Sequence, residues 1–352
     1  MSTDTAAPPD APTTTKTRLL LVGAAAATIG LVAFLASVLT RGPDGVIRAE
    51  GVPAAPDEFL GRTSWAVPVE IVCTLAWLVF LAYCVRQQRR TEGRVHPVMV
   101  VFLGMTVLYL QDPIQNWAVY AAYDPQLLHF PTTWPYFDTA PTVEPILPFF
   151  LYPIAFGLPG LGAIWVYRRL VRPRLSPGGF LARHPVFCAF LVGQLLAVPI
   201  TFVAEFIGTR THIYTFVQLW PPVSIFEGSQ GQMHIFYEGP ALGALIAIST
   251  ALLWQDDRGR TVLERFVDRS PRLRRRPRLN VVLAAMLLLS TYYLAYGVPY
   301  WMMRLTQSST SIVKTWPLAD TKVYDPQGQV REAGVPGPYH EGPLTGWPSG
   351  NW

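Results

Sequence analysis

Residues 19–40 read LLLVGAAAATIGLVAFLASVLT, without one charged side chain. About 20 apolar residues in a helix cross a hydrocarbon core of roughly 30 Å, so this stretch predicts a transmembrane helix. It exceeds the roughly 7–15 apolar residues of a cleavable signal core and is read as a retained anchor. Working outward, six further apolar stretches follow: Trp65–Val85, Pro97–Tyr120, Glu144–Tyr167, His184–Ile207, Met233–Gln255 and Leu279–Trp301. Together they predict an all-α, polytopic membrane helix bundle of about seven transmembrane helices over residues 19–304. A Ser/Thr/Pro/Ala-rich stretch, 1–18, has the composition of a disordered cytoplasmic tail. Residues 305–352 carry Pro, Gly and Trp without a helical period and are read as an extracytoplasmic tail.

Composition supports that class. Of 352 residues, 51% are hydrophobic and only 14% charged, against roughly 25% charged in soluble domains. A chain this poor in charge cannot cover a water-facing surface, which argues against a cytosolic enzyme or a nucleic-acid-binding module. Its net charge of +5 reflects topology rather than a nucleic-acid partner. Twenty of the 28 Lys and Arg fall in 1–18, 86–95, 168–183 and 256–278, and eight in the alternate segments. By the positive-inside rule the N-terminus is inside and the C-terminus outside, in a multi-pass protein of the cell membrane.

Ionisable residues within spans are costly and mark function by default. Glu70 lies about 7–8 Å into the second span from outside, and Asp112 about 22 Å from the inner end of the third. Asn116 and Trp117 follow Asp112, with Asn116 one helical turn on. Glu144 opens the fourth span, Glu205 closes the fifth, and His234 and Glu238 begin the sixth at i, i+4 spacing with Tyr237 between them. All fall in the outer half. A single acid near a helix end is commonly a snorkelling or capping group, which suffices for Glu144 and Glu205 taken alone. Asp112 differs because Pro113 removes a backbone donor and bends the helix, and a polar break inside a span lines a cavity. Asp112, Glu238, Glu70, Glu205 and His234 are therefore the candidate acid–base groups. Asn116, Trp117, Tyr237 and Glu144 are the candidate substrate contacts. The loops at 123–143 and 208–232 are aromatic-rich and nearly free of Lys and Arg, and complete an apolar pocket with convergent acids.

No HExxH, ExxH, Gly-rich phosphate loop or GxSxG elbow is present, and Cys73, Cys84 and Cys188 lie in apolar segments without a CxxC. Neither a metal nor a cofactor is expected. QDDRGR at 255–260 is a single acidic motif crowded by arginine, read as a salt-bridged helix terminus. What remains is cofactor-free acid–base chemistry on a small lipophilic substrate, proton-coupled export of such a molecule, or a structural role in the bilayer.

Four segments carry a resemblance: QDPIQNW (111–117), EPILPF (144–149), LWQDDRGRTVLERFVDR (253–269) and YLAYGVPYW (293–301). In that order they resemble the AveC-type spirocyclases, multi-spanning membrane proteins of actinobacteria, from about residue 65 to 305. The resemblance implies closure of a dihydroxy-ketone polyketide into a spiroketal, with dehydration of the product as a second activity. It assigns no catalytic residues, so the site residues above rest on their depth.

Overall fold

The computed structural model describes residues 59–306 apart from 63, 120, 131–135, 217, 221–222, 230 and 236, together with 308, 310–311, 323–324, 332 and 339–340. The expected first span, the 1–18 tail and most of 305–352 lie outside the described residues. Five helices are long and apolar enough to cross a membrane: α1 (Ala66–Arg89), α2 (Pro97–Val119), α3 (Leu147–Arg174), α4 (Pro185–Arg210) and α7 (Pro277–Leu305). Between α4 and α7 come α5 (Glu238–Leu253), with 16 residues, and the short α6 (Val262–Asp268). At 1.5 Å per residue α5 is about 24 Å long, short of a full crossing.

Local sequence sets these boundaries. Pro97, Pro185 and Pro277 open their helices, where the missing N–H is not needed. Pro113 sits inside α2, and the turns before it, Val107–Gln111, tighten to 3-10 geometry before the α-helix resumes at Asp112. The sixth expected span starts later than its apolar run. Met233–His234 is a β-strand, and Pro240 fits only the opening turn, so the helix begins at about Glu238. His234 and Glu238 are consequently not successive turns of one helix, as the i, i+4 spacing predicted.

The bundle sorts into a rim and a centre. Large apolar side chains on α1 (Val72, Val79), α4 (Leu195, Val203) and α7 (Leu287) are more than half exposed, a surface suited to lipid rather than water. In α5, by contrast, ten of the twelve residues Leu242–Leu253 are buried. Its neighbours approach through small residues. A Cβ added at Gly193 of α4 would lie 2.7 Å from Ala247 Cα, and one at Gly160 of α3 would lie 2.8 Å from Ser249 Cβ. In lipid, where water drives no helix association, such close backbone approach supplies the packing energy. Trp77 of α1 closes the outer layer against Phe102, Phe149 and Phe150, with ring centroids 5.6–5.8 Å apart.

The two ends are built differently. At the arginine-rich end, Asp256 Oδ1 accepts the N–H groups of Arg258 (3.0 Å) and Arg260 (2.9 Å), and Thr261 and Glu264 form a capping box on α6. Arg260 reaches Asp256 at 3.5 Å and Asp268 at 3.6 Å, while Arg94 reaches Glu264 at 3.8 Å. QDDRGR is thus a salt-bridged helix terminus. The opposite end departs from the all-α expectation, because its loops pair as short antiparallel strands. β1 (Ala121–Tyr123) pairs with β2 (Tyr214–Phe216), aligning Tyr123 with Tyr214, and β3 (Ser224–Ile225) pairs with β4 (Met233–His234).

Gly193→Ala should lower stability by about 1–3 kcal/mol, since the new methyl would lie 2.6 Å from Thr250 Oγ1 and 2.7 Å from the Ala247 backbone. Gly162→Ala, whose Cβ would meet nothing within 4 Å, should be neutral or better. Thermal unfolding in detergent measures both, and a wild-type transition for Gly193→Ala would contradict the packing described.

Candidate active site

Asp112 opens the second half of α2, and Asn116 stands one turn further along the same face. Both side chains are buried. The Asn116 amide donates to Asp112 Oδ2 at 3.2 Å and to Glu144 Oε2 at 3.0 Å, bridging the two acids. The other Asp112 oxygen accepts from Tyr152 of α3 and, at 3.1 Å, from Tyr293 of α7, whose hydroxyls lie 2.8 Å apart.

Glu144 lies in the loop ahead of α3, yet it is as buried as Asp112. Its backbone explains how. Phe130 N–H donates to Glu144 O at 3.0 Å, and Ile146 N–H to Leu128 O at 2.8 Å, so 128–130 and 144–146 run paired. Tyr109 clamps the same loop by donating to Pro145 O at 3.2 Å. Glu70 holds the loop to α1 by accepting Leu128 N–H at 2.5 Å. Two buried carboxyls bridged by one amide cannot both ionise cheaply.

A second set lies beside the first. Glu238 Oε1 accepts from Tyr296 and Tyr300 of α7, each at 2.6 Å. The buried His234 ring stands edge-on to Tyr300, with centroids 5.0 Å apart. Tyr293 and Tyr296 stack at 6.0 Å and 7°, so the tyrosine on Asp112 adjoins the one on Glu238. Glu205 of α4 accepts from Tyr214 at 2.5 Å, and Tyr214 packs on Tyr123 at 5.4 Å. Gly208 makes room for that ring, since a Cβ there would fall 2.6 Å from it. Tyr123 feels the whole set. Burial raises its phenol, and Asp112, Glu144, Glu205 and Glu238 push it further in the same direction.

The structure thus brings Asp112, Asn116 and Glu144 into direct contact and sets Glu238, His234 and Glu205 around adjoining tyrosines. Glu70 acts one step away, on the loop carrying Glu144. Trp117 packs into the apolar core, and the Tyr237 side chain lies outside the described residues. Sequence reasoning missed the tyrosines that hold these acids. Their signal was present: Tyr293, Tyr296 and Tyr300 are spaced i, i+3, i+7, one helix face. Gly297 lies among them and admits the Gln115 amide, which donates to Tyr293 O at 2.6 Å.

Among the described residues, no lysine or arginine forms an ion pair with Asp112, Glu144, Glu205 or Glu238, and no three His, Cys, Asp or Glu converge as metal ligands. Phenols donate to Asp112, Glu205 and Glu238, and the Asn116 amide to Glu144. The result is a buried cluster of acids and phenols with no lysine or arginine paired to its four acids among the described residues.

A family model described as Spirocyclase AveC-like matches residues 88–324, about two thirds of the chain. No curated protein and no solved structure matches it.

Proposed function

The chain belongs to the AveC-like spirocyclase family, and from that premise we propose that it is a membrane-embedded cyclase. On this reading it closes a lipophilic dihydroxy-ketone polyketide into a spiroketal by acid–base catalysis without a cofactor. The observation that carries the reading is the pair Asp112–Glu144, two buried carboxyls bridged by Asn116 with no cation against them.

Spiroketal closure needs that combination. One substrate hydroxyl adds to the ketone to give a hemiketal. Glu144, holding the proton, passes it to the hemiketal hydroxyl, and the C–O bond breaks to release water and an oxocarbenium ion. The Asp112 carboxylate faces that positive charge and stabilises it in a low-dielectric site. The second hydroxyl then attacks the carbon, and its proton goes to Asp112. The Asn116 amide holds the two carboxyls next to each other, and return of that proton to Glu144 resets the pair. Glu238, Glu205 and the tyrosine wall add negative potential around the cation, and the wall's shape orients the chain for attack on one face. Dehydration of the closed product would use the same acid and base.

We also place the arginine-rich end in the cytoplasm of a seven-span protein of the cell membrane and the acid cluster in the outer half, following the charge bias. A lipophilic substrate then reaches the site from the bilayer.

Membranes holding the protein, given a dihydroxy-ketone and analysed by chiral chromatography, should yield one spiroketal stereoisomer in excess. Asp112→Asn keeps shape but cannot accept the proton, and should slow closure by about 10²–10⁴-fold while the protein stays in the membrane. Wild-type rate and product from that variant would remove Asp112 from the chemistry. For the topology, a cysteine replacing Glu227 should be labelled by an impermeant reagent from outside and one replacing Arg89 spared. The reverse pattern would invert the orientation.

A further inference from the structure

At the arginine-rich end a groove of about 420 Å³ opens between the end of α1, the start of α2 and the ends of α3 and α5. Its polar wall is Gln87, His96, Arg168, Arg169 and Gln255, with no carboxylate among the lining residues. That is unusual for this end of the molecule, where Arg172 pairs with Asp257 at 3.5 Å, Arg260 with Asp256 and Arg94 with Glu264. Arg168 is fixed at the wall by Nη2, which donates to Leu253 O at 3.3 Å and Gln255 Oε1 at 3.4 Å. Arg169 is exposed and makes no hydrogen bond or ion pair with any described residue. One held and one unpaired guanidinium with two side-chain amides around an open space form an anion site.

The rest of the groove says what carries the anion. Leu161 and Ile164 floor it, and Trp165 stands 57% exposed beside it. Leu158, Leu161, Trp165 and Arg168 share one face of α3, so an apolar line runs from the arginines about 15 Å toward the middle of the helix. Leu158 is exposed too. A free phosphate would leave this line unused, whereas an amphiphile covers it.

We propose that the groove binds an anionic phospholipid, with the headgroup phosphate between Arg168 and Arg169 and an acyl chain along Trp165 and Leu158. The lipid would also brace the end of α5, whose other end carries Glu238. This site is independent of the cyclase reading.

Full-length protein in nanodiscs of phosphatidylcholine, with or without phosphatidylglycerol, tests the proposal through thermal unfolding and mass spectrometry of retained lipid. Phosphatidylglycerol should be retained preferentially and raise the unfolding temperature, while inorganic phosphate added to detergent-solubilised protein should not. Arg168→Gln and Arg169→Gln should each cut the preference roughly fivefold. Arg90→Gln, exposed at the same end but outside the groove, should leave it intact. Arg169→Gln disturbs no contact, so it keeps the test decisive if Arg168→Gln misfolds. Equal retention of the two lipids, an undiminished preference in Arg169→Gln, or the same gain from inorganic phosphate would each overturn the proposal.

Discussion

Burying carboxyl groups with no cation beside them is the constraint around which this bundle is organised. Asp112, Glu144 and Glu238 are each almost inaccessible, and removing such groups from water costs several kcal/mol apiece unless other polar groups replace it. The replacement comes from tyrosines and one asparagine drawn from separate elements. Tyr152 on α3 and Tyr293 on α7 reach an acid on α2, and Tyr296 and Tyr300 on α7 reach the acid that opens α5. A cation from the protein would have been the cheaper solution. Among the described residues no such cation pairs with the acids.

The backbone is interrupted where the chemistry sits. α2 tightens ahead of Pro113, and its helix resumes at Asp112. α5 starts with a π-turn from Tyr237 to Ala241, so Glu238 stands at a helix end rather than mid-helix. Glu144 is on a loop that two backbone hydrogen bonds and the Glu70 carboxylate hold in place. Non-helical backbone within a membrane survives only where protein covers it, and the Glu144 loop is buried and paired with residues 128–130. Rigid packing through Gly160, Gly193 and Gly243 keeps the central α5 fixed while its first turn departs from regular geometry.

Much of this was legible in the sequence because hydropathy and charge are local properties. The expected spans from Trp65 onward coincide with helices to within a few residues, except the sixth, where the apolar run Met233–Ile235 belongs to a strand and turn. Apolar residues serve a buried strand as well as a buried helix, so periodicity could not separate them. Asp112 and Asn116 were readable as a pair because i, i+4 spacing determines proximity. Glu144 looked like a helix-end acid, since its link to Asp112 through Asn116 depends on a loop pairing that no spacing encodes. The tyrosines were hidden for a different reason: Tyr at a membrane interface is common, and only the i, i+3, i+7 arrangement on α7 distinguishes a wall from a belt.

On the proposed mechanism the acid cluster stabilises positive charge during closure. The most direct measurement compares binding of a lipophilic spirocyclic amine, protonated at neutral pH, with its uncharged carbocyclic counterpart of the same shape. A site complementary to an oxocarbenium ion should bind the cation at least roughly 10²-fold more tightly. Equal affinity for the two would contradict it, and would mean that the carboxyls organise the bundle without acting on a substrate.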